Sequence, residues 1–534
     1  MPAGSTQQFV RQTSGLVKEF GVFDTFVFNT IGYALGLVLA SLPTFLGGVY
    51  PGADIYVVLT LGAVLTIFNG LVYGLFSAAM PRSGGDYVFI SRTLSPLIGF
   101  VANWGFSWSQ FLGLGVYTAW SIRDALSPAL VTLGYATNSE ALVQAGQTIL
   151  QPMAMFLTGA IILLSVLLVS LAGTRFLKQF SNIFFFVALA GTAVMAAVLI
   201  GANHQGFVAA FNNAMAAHGG PANAYDAILA RAHAAGLQSG PTSFAASLMA
   251  LPVGYWAFIG FTYSAYVGGE VKQPQRSQTV GILGALVVGY CAYMITLGAY
   301  YNVVGRDFTN AVALVQTFPN NPMPTAGSMS FFAGLLSSNV WVVALISLST
   351  FLWYYLLLFI MAAICVRNIF AWSFDRIVPE AFARVTPKQG APWVATLAVI
   401  AIAGVFMAAQ AFAGVTFMNY IAIFSVCFLA AGVAAMVFPY RRKELFEQAP
   451  PIVRTKILGV PLMVLAGAGN TVLFCLVLYS ALTNAGVSGA AGVLPLYVLA
   501  GIYGGGIVVY LLAKAIQSRR GVNLDLLYKE IPPD

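Results

Sequence analysis

Two stretches of this sequence place polar side chains and glycines inside otherwise apolar surroundings. One is Phe28-Asn29-Thr30-Ile31-Gly32-Tyr33-Ala34-Leu35-Gly36, the other Gly254-Tyr255-Trp256-Ala257-Phe258-Ile259-Gly260-Phe261-Thr262-Tyr263-Ser264. Small residues allow close packing between membrane helices, and glycine also tolerates backbone that leaves the helix. Each stretch is therefore either a tight helix contact or a place where a helix unwinds. An unwound turn exposes N–H groups where a helix restarts and C=O groups where one stops. The first suit a carboxylate, the second an ammonium group or a sodium ion. A zwitterionic amino acid fits such a pair of ends without any charged side chain.

The elements that must hold these stretches are membrane helices. The chain has 534 residues, 59% hydrophobic and only 7% charged, with a mean hydropathy of +0.85. A soluble domain carries about 25% charged residues, whereas a spanning helix needs about 20 mostly apolar ones. Apolar runs and breakers predict twelve spans, near 22–46, 54–79, 95–122, 150–172, 180–202, 244–269, 278–303, 337–366, 391–412, 415–439, 457–483 and 490–514. The chain is thus expected to be an all-α polytopic membrane protein embedded in the lipid bilayer.

With the N-terminus inside, 21 of the 24 Lys and Arg residues fall on the cytoplasmic side, and only Arg123, Arg231 and Arg306 fall outside. That asymmetry supports both the count and the orientation. It predicts a multi-pass protein of the cell membrane with both termini cytoplasmic. The net charge of +8 then orients the protein and implies no nucleic-acid partner. The N-terminus has no apolar core followed by a cleavage site and reads as a tail. Residues 1–21 and 515–534 are expected to be cytoplasmic tails and 440–456 a cytoplasmic connection. The long stretch 203–243, which holds His204, His218 and His233, is expected outside. Wide His spacing and four Cys within apolar stretches give no metal site.

Spans one and six occupy matching places in two five-span halves, 22–202 and 244–439, followed by spans at 457–514. Glycine-interrupted segments at matching positions point to discontinuous helices around a midplane site. No Asp, Glu, Lys or Arg lies near the middle of a predicted span. Asp24 lies near the inner end of the first, Glu270 closes the sixth, and Arg367 is at the inner end of the eighth. Intramembrane charges normally mark ion paths, so no carboxylate or lysine proton carrier is expected at the centre. An enzyme is not expected, for HExxH, a nucleophile elbow and a mid-span dyad are all absent.

Residues 81–104 (PRSGGDYVFISRTLSPLIGFVANW), 254–276 (GYWAFIGFTYSAYVGGEVKQPQR) and 367–379 (RNIFAWSFDRIVP) resemble signatures of the amino acid–polyamine–organocation superfamily, in the right order and at matching spans. The resemblance implies a five-plus-five inverted repeat of the leucine-transporter type, two peripheral helices, and alternating access. It implies a secondary active transporter of an amino acid, with neutral cargo suggested by the uncharged spans. The superfamily also contains carriers of other amines, polyamines and nucleobases, and the same fold serves nutrient sensors.

By resemblance, Asn29, Thr30, Ile31, Gly32 and Gly36 meet the substrate carboxylate. Trp256 closes over the substrate beside Phe258 and Gly260; the alternative is that Trp256 only packs. Thr262 stands where some antiporters carry a glutamate. Arg82, Arg92, Glu270, Lys272, Arg367 and Asp375 form either an inner gate or simply an orienting cluster. No cofactor is expected beyond a coupling ion, sodium or a proton. In sodium-coupled relatives of the fold, hydroxyls here matched by Ser349 and Thr350 complete a sodium site with carbonyls matched by Phe28, Ile31 and Ile346. Alternatively those hydroxyls bond back one turn along their own helix. Span five has no lysine of the kind some proton-coupled members use. Nothing in the sequence selects a monomer over a homodimer.

Overall fold

The computed structural model describes residues 18–238, 240–318, 320–386, 389–414, 420–488, 493–522, 524 and 528. Most of the N-terminal tail, with Arg11, lies outside this set. So do Lys388, Lys529, residues 415–419 at the start of the tenth expected span, and 490–492 at the start of the twelfth.

Among the described residues, ten helices are long and apolar enough to cross a membrane. They correspond to the expected segments apart from the third and the sixth. The third segment is the helix Pro96–Trp120, which runs on through a π-helical turn, Ser121–Leu126, into Ser127–Thr137. The helix therefore extends beyond the expected span of 95–122. Many of its side chains are polar or small, and nearly all of those between Gly105 and Ala119 are buried, which suits a central element rather than a lipid-facing one.

The first segment is two helices, Val22–Gly32 and Leu35–Val49, broken at Tyr33 and Ala34, with Ala34 left-handed at φ +50°. The sixth is more fragmented. Short helices Phe244–Met249 and Leu251–Trp256 lead into turns over 257–262 and two short 3-10 pieces, Tyr263–Tyr266 and Gly268–Glu270. Lipid offers no hydrogen bonds to free backbone groups, so such irregular chain must be enclosed by protein. Every residue from Leu251 to Val271 is buried, and Tyr293 donates to the Ala257 carbonyl at 2.8 Å.

The outward faces of other helices do the opposite. Ile161, Leu168, Ile183 and Tyr497 are more than half exposed. In water such faces would drive aggregation; in a bilayer they are the lipid contact. This is a multi-pass membrane protein.

The eleventh segment starts later than expected, at Leu462, after a two-residue strand pair, Lys456–Ile457 with Val460–Pro461. The stretch 203–243 contains helices His204–Ala217 and Ala224–Ala234. Phe207, Phe211 and Tyr225 of these pack on Phe308 and Phe332 of the next long connection. Isolated backbone bridges, Phe20 with Val271 and Ser83 with Val267, tie the starts of the first segment and the Met80–Gly85 connection to the end of the sixth.

Candidate functional site

The two breaks meet. A Cβ added to Gly32 would collide with the Gly260 carbonyl, and one added to Gly260 would collide with the Gly32 carbonyl. Gly260 also has φ +100°, which L side chains rarely adopt. Side chains complete the join. Asn29 Oδ1 accepts from the Ser264 amide at 2.8 Å, and Gln278 bonds both the hydroxyl and the carbonyl of Ser264. Of the expected binding residues, Gly32 and Gly260 thus form the crossing itself, with Asn29 bracing it.

Beside the crossing is a small void of about 10 Å³, lined by Gly32, Tyr33, Leu37, Val38, Tyr117, Trp256, Ile259, Tyr263, Leu357, Met361 and Tyr420. That is room for about one water. On one side it touches the start of the Leu35–Val49 helix, whose first N–H groups have no side-chain cap. On another lies Ile259, whose carbonyl accepts none of the backbone hydrogen bonds of the 257–262 turn among the described residues.

The other expected binding residues have protein neighbours of their own. Gly36 makes room for the Trp353 indole. Phe258 packs on Tyr293, ring centroids 5.4 Å apart. Thr30 donates to Phe26 one turn back, and Ile31 accepts from the Ala34 amide at the break.

Trp256 is 4% exposed and lines two cavities at once. Its Nε1 donates to Tyr117 Oη at 3.0 Å and its ring meets Phe45 edge-on at 5.3 Å. Beneath it is the void; above it, toward the 304–336 connection, is a cavity of about 670 Å³. Tyr420 also lines both. These two side chains form the partition.

The opposite face is sealed. Arg92 Nη2 lies 2.8 Å from Asp375 Oδ2, with both side chains 2% exposed. Tyr87 donates to the same carboxylate at 2.6 Å, and the guanidinium sits 4.6 Å from the Tyr528 ring. Arg367 grips Glu270 through Nε at 3.0 Å and Nη2 at 3.3 Å. The main chain of Glu270 accepts from the amides of Glu19 and Phe20, which locks the entry of the first segment. Four of the six expected gate residues are therefore two buried ion pairs. Lys272 is exposed, and Arg82 bonds the neighbouring Pro81 carbonyl.

The expected sodium ligands are engaged with protein groups. Ser349 donates to the Ala188 carbonyl of the Thr174–Gly201 helix at 2.5 Å. Thr350 donates to the Ile346 carbonyl at 3.1 Å, the back-bond one turn earlier.

Sequence reasoning missed two groups. One is Asp86, fully buried, whose carboxylate accepts from Tyr73 at 2.8 Å, from Asn103 at 2.7 Å and from Tyr266. It belongs to the PRSGGD motif, whose position in a loop hid its burial. Burial pushes this carboxyl above its ordinary range, and the bonds from Tyr266, Asn103 and Tyr73 oppose that. Asp86→Ala would leave three donors without their acceptor, so it should lower stability by about 3 kcal/mol or more. Thermal melting in detergent measures this, with Asp86→Asn, which keeps an acceptor oxygen, melting closer to wild type. The other missed group is Arg123 with Asp124, on the wall of the large cavity.

The sequence profile of a family described as "Amino acid permease" matches residues 20–510. The branched-chain amino acid permease BcaP of Bacillus subtilis (strain 168) is 25% identical over 402 residues, covering 73% of this chain and 75% of that protein. The methylthioribose transporter of the same organism is 21% identical over 426 residues, with 78% and 81% covered. The BcaP of Lactococcus lactis subsp. cremoris (strain MG1363) is 22% identical over 386 residues, with 70% and 72% covered.

Proposed function

The chain belongs to the amino acid permease family, and from that premise we propose that it is a secondary active transporter moving a neutral, apolar amino acid by alternating access. One observation carries the reading: Trp256 and Tyr420 partition a large cavity from a small void at the crossing of two broken segments, while buried ion pairs seal the far face. The twelve segments then all cross the bilayer, as a five-plus-five repeat with two peripheral helices.

In this mechanism the substrate carboxylate docks at the uncapped start of the Leu35–Val49 helix, where N–H groups and the helix dipole favour an anion. The ammonium docks at the Ile259 carbonyl. The side chain lies among Leu37, Val38, Leu357 and Met361, an apolar set that gives a second charge no partner. The void must swell to admit it, so Trp256 and Tyr117 have to part on entry and re-form behind the substrate. Release on the other face then requires the Arg92–Asp375 and Arg367–Glu270 pairs to separate. Two of the matched relatives are branched-chain amino acid permeases by name, which agrees with such cargo.

A thermal-shift panel on purified protein tests the cargo. Leucine, isoleucine and valine should stabilise it, and arginine and putrescine should not. Stabilisation by arginine or putrescine alone would overturn the reading. Uptake driven by an imposed sodium or proton gradient identifies the coupling ion.

Orientation follows the basic residues: the gate face is cytoplasmic. In a background lacking Cys291 and Cys475, Ala217→Cys should react with an impermeant thiol reagent on intact cells. Gln448→Cys should react only after permeabilisation. Both positions are exposed, so the reverse pattern would invert the topology.

A further inference from the structure

The large cavity carries a charged pair that the transport cycle above does not use. Among its described lining residues Arg123 and Asp124 are the only acid and base. Consecutive residues on an α-helix point about 100° apart and do not face each other. Here they do: Arg123 Nε lies 2.6 Å from Asp124 Oδ1, and Nη2 lies 2.7 Å from Oδ2. The π-helical turn Ser121–Leu126 falls at this point, and such turns inside helices are frequent at functional sites. Trp120 lies under the guanidinium at 4.7 Å, and Tyr354 of the Val340–Phe374 helix donates to Asp124 at 3.4 Å. Asp124 is held at 8% side-chain exposure while Arg123 remains 42% exposed.

We propose that Arg123 and Asp124 form a second, weaker binding site for a zwitterionic α-amino acid, filled before Trp256 opens. It rests on the reading of the cargo as an amino acid. A guanidinium has five N–H donors, and Asp124 engages two, which leaves three for a carboxylate. Asp124 keeps lone pairs for the ammonium one carbon away. The pair and the ligand are each neutral overall, so binding buries no net charge. A simple carboxylate would leave Asp124 facing a negative group, and an amine would face the Arg123 cation. A cavity of about 670 Å³ holds an amino acid easily, whereas the void beneath Trp256 does not in this conformation. Because Trp256 separates the two, both sites can be occupied at once.

Binding of labelled leucine to the purified full chain, followed to high concentration, tests this. The wild type should show one tight and one weak saturable component. Arg123→Gln should lose the weak one, or raise its Kd at least tenfold, while the tight Kd stays within twofold. Arg123→Lys should restore part of it. Isovalerate and isoamylamine, each lacking one charge, should fail to displace the weak component. A single component in the wild type, or a weak component unchanged in Arg123→Gln, overturns the proposal and leaves the transport reading standing. Failure of the wild type to bind any neutral amino acid overturns both.

Discussion

Gly32→Leu is expected to abolish uptake while leaving the protein expressed and monodisperse in detergent. Gly32 and Gly260 let two broken segments touch backbone to backbone, and a Cβ on either would meet the other's carbonyl. A backbone wall does not yield as a flexible side chain would, so the two breaks must separate. The uncapped start of the Leu35–Val49 helix and the Ile259 carbonyl then lose their spacing, and misplacement by about 1 Å is enough to disable a preorganised site. Gly32→Ala should retain a small residual rate. At Gly260 even alanine is strained by the positive φ. Tracer uptake into proteoliposomes, normalised to inserted protein, measures the effect. Uptake by Gly32→Leu above about half of wild type would contradict this account of the crossing.

The second large effect is expected at the sealed face. Glu270 is fully buried, and Arg367 is its ion-pair partner. Removing one member of a buried pair typically costs about 3–5 kcal/mol, because the other charge is stranded. Most of that loss should fall on the closed conformation of this face, because the proposed cycle parts Glu270 from Arg367 when the face opens. Arg367→Ala is therefore expected to lower uptake at least tenfold and to favour the state open on this side. The exchanged pair Arg367→Glu with Glu270→Arg should recover a measurable part, as coupled partners do. Recovery would separate a gating pair from residues that merely orient the protein. An Arg367→Ala uptake equal to wild type would remove this pair from the gate.

The two helix breaks and the charged cluster were legible in the sequence because they depend on local chemistry. Glycines at 32 and 260 in apolar runs announced the breaks, and the structure puts those two residues in contact. The cluster Arg92, Glu270, Arg367 and Asp375 was visible as charge at span ends. Its pairing was not, because Arg92 and Asp375 are separated by 283 residues. The helix of the third segment runs beyond the expected span for a physical reason. Arg123 and Asp124 neutralise each other, and the helix continues through them to Thr137. At Gly36 only tertiary structure shows the Trp353 ring that its missing side chain accommodates. Asp86 lies between the expected second and third spans, and its three donors, Tyr73, Asn103 and Tyr266, are brought together only by folding.

In the proposed cycle substrate binds beneath Trp256, where the two breaks cross. Equilibrium binding of labelled leucine to wild-type and Trp256→Ala protein tests it most directly. The indole covers the void, excludes water with a rigid ring, and holds Tyr117 in place through its N–H. Trp256→Ala should therefore weaken the tight component at least tenfold, with a melting temperature that shows the protein still folded. Tight leucine binding in Trp256→Ala indistinguishable from wild type would contradict the claim and move the site elsewhere in the bundle.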